Sequence, residues 1–585
     1  MSHNDEVAAR FEEFASLLEA KDIEYKPRSY RRAAENVRGY PEPIENLASE
    51  GEAAVQEIEG IGDAIAAKIV EYVETGEIEE LAELRADLPV DMAGLTNVEG
   101  VGPKTVGTLY RELGIEDLDG LEAAAEAGEI EALSGFGAKT EANIRSGIAF
   151  ARTAQQRQRL GEVRPLGEDL VSYLDDVEAA KRCALGGSLR RWRATVGDLD
   201  VLCASDDPEA VVERFTDWDR ADSVIESGSA KASVRSDGTR IDLRVVASAE
   251  FGSALQYFTG SRDHNIGLRN RAIARDLKIN EYGVFDVSNV ENPDNGQRVG
   301  ERVAGETDAS VYEAVSLPPI PPELREDRGE IAAAADGRLP DLVAEGNVRG
   351  DLHVHSAWSD GANTVSEMVR AAAEFGHEYV CCTDHASGPG IPGGTGLSDE
   401  ELREQTEEIE AVREEVANEG IDIEVLHGVE ANIDADGGIS VGDDVLADLD
   451  LVVASPHSGL DGDGTDRIVE AISHPAVTIV GHPTGRQLGR RPGMDLDFDA
   501  VAEAAAEHGT ALEVNANPQR LDLGGSAVKA AIDAGATIAI DTDAHQPANF
   551  SLLRYGVHTA RRGWVEAEDV CNAWPYDELR AFLDG

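Results

Sequence analysis

Between residues 350 and 585 short apolar runs alternate with longer amphipathic segments, and most of the runs finish in His, Asp or Glu. The run ends are Asp351-Leu-His-Val-His355, Val380-Cys-Cys-Thr-Asp-His385, Leu426-His-Gly-Val-Glu430, Val452-Val-Ala-Ser-Pro-His457, Ile479-Val-Gly-His482, Leu512-Glu-Val-Asn515 and Ile538-Ala-Ile-Asp-Thr-Asp-Ala-His545. Val365 to Glu374 and Glu400 to Asn418 have helical spacing. Strand and helix in repetition predict a parallel sheet, and the C-terminal ends of parallel strands are where a barrel gathers its chemistry. His353 and His355 lie two apart on one strand and so point the same way. With Asp360, His385, Glu430, His457, His482, Asp543 and His545 they offer ligands for two or three metal ions. Mixed imidazole and carboxylate suits Zn²⁺, Mn²⁺ or Fe²⁺ without choosing among them. His377, His427, His474 and His508 are expected instead to be satisfied core residues.

Proline marks where this pattern begins. Leu317-Pro-Pro-Ile-Pro-Pro-Glu and the Ala/Asp/Gly-rich stretch that follows predict a stiff linker over 317–349. At the other end of the chain, residues 1 to about 150 read as short helices with Gly-rich turns, including Val7 to Leu18 and Ala64 to Thr75. One phrase recurs three times: Ile58-Glu-Gly60-Ile-Gly62, Val98-Glu-Gly100-Val-Gly102 and Leu133-Ser-Gly135-Phe-Gly137, each ahead of a helix start. In a helix-hairpin-helix such glycines allow a tight turn, and amides at the next helix start can face a phosphate. A single copy can be a plain helix stop and restart; three favour contact with the DNA backbone. Lys68 follows the first hairpin. A lysine there is a solvated phosphate contact or, partly desolvated, a Schiff-base amine.

The middle of the chain carries the third pattern. Gly186-Gly-Ser188-Leu-Arg-Arg-Trp precedes Asp198-Leu-Asp200, and Asp242 sits between Ile241 and Leu243 on a second strand-like run. Alternation puts Asp198 and Asp200 on one face. Three carboxylates on neighbouring strands repel unless cations separate them, so a two-metal site for phosphoryl transfer accounts for their cost.

These residues, with Arg240 and with Tyr257-Phe-Thr-Gly-Ser261, Asn265 and Arg269, resemble the X-family DNA polymerases in order and spacing over residues 1 to about 316. The resemblance implies a multidomain chain: a helix-hairpin-helix lyase-like domain over 1–85, helix-hairpin-helix fingers over 86–155, an α/β nucleotidyltransferase palm over 156–250 and a thumb over 251–316. It implies that Asp198, Asp200 and Asp242 hold two Mg²⁺ or Mn²⁺ ions, with Asp242 beside the primer 3′-OH. Gly187, Ser188, Arg191 and Arg240 fall at substrate positions, Ser188 and Arg191 on the incoming triphosphate. Tyr257, Phe258 and Gly260 line the deoxyribose, Asn265 faces the base and Arg269 the template side. Gly60, Gly62, Gly100, Gly102, Gly135 and Gly137 are implied as DNA contacts, as are Lys26 and Tyr30 in a 5′-phosphate pocket. Lys68 falls where lyase-competent members keep their Schiff-base lysine, while Ala64 and Tyr25 depart from that group.

Residues 350–585 are similar to the polymerase and histidinol phosphatase (PHP) superfamily, whose nine ligand types all occur here. That implies a distorted (β/α)7 barrel and metal-dependent hydrolysis of phosphate esters, as in Mn²⁺-dependent 3′-to-5′ exonucleases, abasic-site endonucleases or 3′-phosphatases. The implied whole is a gap-filling repair polymerase that takes gapped or nicked DNA and dNTPs and trims 3′ ends. Two other readings remain: a DNA-end-binding scaffold with an active barrel alone, and a small-molecule phosphatase fused to a nucleic-acid-binding module.

Composition sets the surroundings. At roughly 150 residues per domain, 585 residues make several modules. No apolar run approaches the ~18–20 residues of a membrane helix, and the polar, acidic opening is unlike a secretory signal. The five cysteines are odd in number and form no CxxC, which fits a reducing cytoplasm. A monomer is expected. The formal charge of −62 is spread along the whole chain, and nine of the 52 basic residues are lysine. Near 1 M salt the Debye length falls to ~3 Å, so such a surface predicts the cytoplasm of a salt-accumulating halophile. In that medium an acidic chain can still hold phosphate through uncharged donors and metal ions, despite the usual reliance on counterion release.

Overall fold

The computed structural model describes the chain apart from residues 1–2, 24–25, 39–43, 57, 59, 97, 99–100, 134, 138–139, 143, 146, 149–156, 294, 392–394 and 585. It divides into two compact units, the first comprising residues 1–156 with 489–492 and the second the remainder. Among the described residues no helix is long and apolar enough to cross a membrane.

The first unit is helical. In α1 (His3–Ala20) the residues Val7, Phe11, Phe14 and Leu18 recur at the spacing of one helical face and are all buried. They pack against α2 (Lys26–Arg38), whose Tyr30 ring stacks on Phe14 at 4.3 Å. The first two hairpins feed α3 (Asp63–Thr75) and α4 (Pro103–Leu113), each with a glycine, Gly62 or Gly102, at its N-cap. A glycine brings no side chain to cap the helix, so the first-turn amides keep their donors for another partner. Gly60 turns with φ +74, a conformation that favours glycine.

In the second unit five strands form one sheet: β1 (Ala180–Leu185), β2 (Asp198–Ser205), β3 (Ser223–Ser227), β4 (Lys231–Ser236) and β5 (Thr239–Val246). Their order is β1-β2-β5-β4-β3, and the central pair β2 and β5 is parallel, with Asp200 opposite Asp242. Leu199, Val201, Ile241 and Leu243 point into the core, so the aspartates alternate to the other face as expected. Helices α5 (Phe251–Thr259) and α6 (Arg262–Ile273) then lead into a three-stranded antiparallel sheet over residues 277–304.

Residues 317–349, expected as a linker, are instead built into this unit. Leu317, Ile320, Leu324 and Ala334 join the core beneath α6, and Arg325 is buried against Asp308 at 2.9 and 3.1 Å. Proline fixes φ here, and the apolar residues between the prolines find partners, so the segment packs rather than spans.

The barrel follows: β6 (Gly350–Val354), β7 (Tyr379–Cys382), β8 (Glu424–Asn432), β9 (Leu451–Ser455), β10 (Ile479–Val480), β11 (Ala511–Asn515) and β12 (Ile538–Asp541). All seven pair in parallel in sequence order, and a bridge from Val354 to Ala544 brings the last strand's end back to the first. The sheet is thus nearly closed, with the run ends of the sequence at one mouth. The helix after its last strand, α7 (Leu553–Arg561), lies against the palm: Leu521 and Tyr555 of the barrel belong to the same buried core as Leu199 and Ile241.

Candidate functional site

The barrel mouth gathers all nine expected ligands. Glu430, on β8, is buried at the centre. Its Oε1 lies 3.1 Å from His482 Nε2, 3.3 Å from His457 Nε2 and 3.4 Å from His353 Nε2; its Oε2 lies 2.5 Å from His385 Nδ1. Asp543 Oδ1 lies 3.1 Å from His355 Nε2, and Asp360 lies 3.3 Å from His545 and 3.5 Å from His385. Among the described residues three groups emerge, each with ligand atoms within 4.8 Å of one another: His355, Asp360, His385 and His545; His353, His355 and Asp543; His385, Glu430 and His457.

Eight buried nitrogen and oxygen atoms of His353, His355, His385, Glu430, His457 and His482 lack a hydrogen-bond partner of acceptable geometry. At about 1–3 kcal/mol per unsatisfied buried group, that penalty rivals the roughly 5–15 kcal/mol that stabilises a whole domain. Divalent cations among these atoms remove it, and the donor set fits them. Charge agrees. Burial pushes His385 down, yet Glu430 and Asp360 lift it to about 10, so protons stand where a cation fits. His482 is pushed down to about 3 by burial and Arg520, which leaves the neutral, ligating form. His482 and Asp543 also hold positive φ, 27° and 54°, strain of the kind that collects at functional sites.

Behind the ligands stand residues that the sequence did not single out. Glu513 Oε1 lies 2.7 Å from His353 Nδ1, and its Oε2 accepts from the His482 amide. Asn432 Oδ1 lies 2.8 Å from His457 Nδ1. Such partners fix ring orientation. The available signal was a carboxylate inside an apolar strand, Leu512-Glu513-Val514. His427 is buried and partnered by Gln405 as expected, and His377 is buried but leaves its Nε2 without a hydrogen-bond partner, while His474 is only half-buried beside Asp443 and His508 is exposed at a helix end. Those two lie on the outer layer, where helix ends meet solvent; all four stand outside the metal-type groups.

The palm site is more open. Asp200 and Asp242 are half-buried and Asp198 is exposed. Burial, then Asp242, then Asp198 push Asp200 up to about 6, the electrostatic mark of acids converging on one spot. Asp242 accepts from Arg240 Nε at 3.0 and 3.1 Å and from the Ser233 hydroxyl. Gly187, at φ +57, is held so close that a Cβ there would meet Asp200 Oδ2 at 2.2 Å, so the turn leading to Ser188 needs glycine. Acid-only ligands of this kind fit Mg²⁺ or Mn²⁺.

Other expected palm residues have nearer partners. Arg191 is turned to Glu326 at 2.9 Å and to the Thr259 carbonyl at 2.6 Å. The Asn265 amide donates to the carbonyls of Tyr257 and Gly260 and accepts from Gln256, which ties down the end of α5. Tyr257 meets Phe258 edge-on at 5.1 Å, and Arg269, exposed, lines a cleft of about 770 Å³ with Tyr257. Arg157, not singled out in the sequence, is partly buried near Arg191, Arg193 and Asp198.

In the helical unit Lys68 Nζ lies 2.7 Å from Glu80, beneath Tyr30. Burial pushes this amine down, but Glu80 and Tyr30 outweigh it and the net shift is upward, toward the charged form. Tyr30 is buried and Lys26 is exposed at the start of α2. Gly135 and Gly137 lie in the third hairpin; Gly100 and Tyr25 lie outside the described residues.

Hairpin modules, a three-aspartate sheet and a histidine-lined barrel together define a two-centre phosphoryl-transfer architecture on a nucleic-acid-binding frame. Family models agree: a helix-hairpin-helix domain matches residues 2–78, a SAM-like helix-hairpin-helix tandem 92–149, the DNA polymerase beta thumb 254–326 and the PHP domain 351–517. The DNA polymerase/3′-5′ exonuclease PolX of Bacillus subtilis (strain 168) is 35% identical over 588 positions, covering 99% of each chain. Probable phosphatases of Thermoanaerobacter sp. (strain X514) and Caldanaerobacter subterraneus subsp. tengcongensis are each 33% identical, over 38% and 33% of this chain and 89% and 75% of their own. The chain belongs to the X-family DNA polymerases that carry a PHP domain.

Proposed function

We propose that the chain is a bifunctional repair enzyme that fills gaps in DNA at Asp198, Asp200 and Asp242 and trims 3′ ends in its barrel, as the name of its Bacillus relative pairs the two activities. The observation that carries this reading is the coexistence in one chain of three aspartates on neighbouring strands and nine His, Asp and Glu residues at one barrel mouth. Divalent cations supply charge stabilisation of the phosphoryl transition state at both sites, Mg²⁺ or Mn²⁺ in the palm and Mn²⁺, Zn²⁺ or Fe²⁺ in the barrel.

The chain's own residues do the rest. Asp242, oriented by Arg240 and Ser233, faces the primer 3′-OH, while Ser188, Arg191 and the turn at Gly187 take the triphosphate. Tyr257, Phe258 and Gly260 line the sugar, Asn265 faces the base after exchanging its present partners, and Arg269 meets the template. In the barrel the buried mouth orients the scissile phosphate and limits water to what the ligands admit. The hairpin glycines and Lys26 hold the DNA backbone. Lys68 is better suited to a 5′-phosphate than to a Schiff base, because the pairing with Glu80 favours the protonated amine. The enzyme acts as a monomer in the cytoplasm, with the −62 surface suited to high salt. The domain limits proposed above stand, except that 317–349 joins the folded unit.

One assay tests the proposal: a gapped duplex with a labelled 3′ end, dNTPs and Mn²⁺ in molar KCl. Primer growth is expected with dNTPs and primer shortening without them; a primer unchanged under both conditions overturns it.

A further inference from the structure

Glu326 is the hub of an arginine cluster that joins palm to barrel. Its side chain is 7% exposed and receives Arg191 at 2.9 Å, Arg193 at 3.2 Å and, from the barrel, both terminal nitrogens of Arg562 at 3.1 and 3.2 Å. Arg562 also donates to the main-chain carbonyl of Arg191 at 2.5 Å. The next residue of the same turn, Trp192, holds a positive φ of 53° that a bulky side chain adopts only under constraint. His558 of α7 lies flat on its indole at 3.6 Å and 6°, and the Arg164 guanidinium stands 3.2 Å from its ring centre. Side chain, carbonyl and indole of one palm turn are therefore each gripped from the barrel or through Glu326.

The charge of the cluster is lopsided. One carboxylate faces three guanidiniums, which leaves excess positive charge in a chain of net −62. Burial and the other arginines push Arg562 down to about 10, opposed by Glu326, so the cluster holds its charge under strain. A polyanion is the partner that such an excess awaits.

We infer that Arg562, a barrel residue, is a positioning residue for nucleotide binding in the palm: through Glu326 and the Arg191 carbonyl it fixes the turn from Gly187 to Trp192 in the form that receives the triphosphate. The inference rests on the proposed role of Ser188 and Arg191 as triphosphate ligands. Arg580, paired within the barrel with Asp450 at 2.8 Å, takes no part in this cluster and serves as the control.

The test is steady-state insertion of one dNTP into a gapped duplex by the full chain. Arg562→Met is expected to raise the nucleotide KM about tenfold with kcat within about threefold, because a charge-assisted anchor for a binding turn is lost. Trimming of a 3′ end by the same preparation should be unchanged. Arg562→Lys keeps the charge without the two-armed grip and should fall between the two. Arg191→Met should raise KM at least as much, the double variant should be no worse than Arg191→Met alone, and Arg580→Met should leave KM unchanged. A KM shift below about twofold in both Arg562 variants, with Arg191→Met still impaired, overturns the inference and leaves the triphosphate role standing. Arg191→Met with an unchanged KM overturns that role and the inference with it. If Arg562→Met also loses trimming, the lysine variant decides by the same criterion.

Discussion

The barrel and the palm both converge acids, yet they manage the resulting charge in opposite ways. In the barrel, imidazoles and carboxylates interleave and neutralise one another in a buried mouth, so the ligand set is assembled before any substrate arrives. The palm brings together acids alone, half open to solvent, with Arg240 and Ser233 steadying one of them from the rim. A buried mixed set retains its ions, whereas an open acid set exchanges them with solvent or with the metal that accompanies a nucleotide triphosphate. Permanence and exchange suit a hydrolase and a transferase respectively.

The sharpest way to break this contrast is to disarm one centre at a time. Asp198→Ala with Asp200→Ala should lower nucleotide incorporation on the order of 10³-fold or more while 3′ trimming persists, and His353→Ala with His355→Ala should do the reverse. Loss of both activities from either pair would show one shared centre. Next in size is Gly187→Ala. The added Cβ must displace Asp200, so primer extension should fall by about 10²-fold, with barrel hydrolysis as the internal control.

Glu513→Gln probes permanence. Weakening the partner of His353 should cost about 10–100-fold in metal affinity, read as bound metal per chain after dialysis against graded chelator; unaltered retention would remove Glu513 from that role. The smallest effect is the response of the palm to pH. Asp200, raised to about 6, is neutral below that pH and charged above it, so only above it can it attract a cation. Incorporation at subsaturating Mg²⁺ should therefore rise several-fold between about pH 5 and 7. More metal should move the midpoint down, because cation and proton compete for the same oxygens, whereas a midpoint indifferent to metal would assign the titration to another group.

Much of this was legible in the residues because it is written in short-range pattern. Strand alternation placed Asp198 and Asp200 on one face, and the repeated strand ends gave seven strands and, in order, the His, Asp and Glu residues that meet at one mouth. The linker was misread because proline signals stiffness but not company: Ile320 and Leu324 are buried by partners remote in sequence. Glu326 and Arg562 were illegible for a similar reason. Each is an ordinary charged residue among many, and only folding brings them within 3.2 Å, 236 positions apart. His508 was misjudged because one imidazole at a helix end carries no periodic information about which side faces water.

The buried core shared by Leu199, Ile241, Leu521 and Tyr555 has a practical corollary for anyone hoping to isolate either catalyst. A truncation at residue 350 would strip the palm of its greasy underside and leave the fragment sticky, so an inactive polymerase half made that way would speak to solubility before it spoke to chemistry. Dissecting the two activities calls for point lesions rather than scissors.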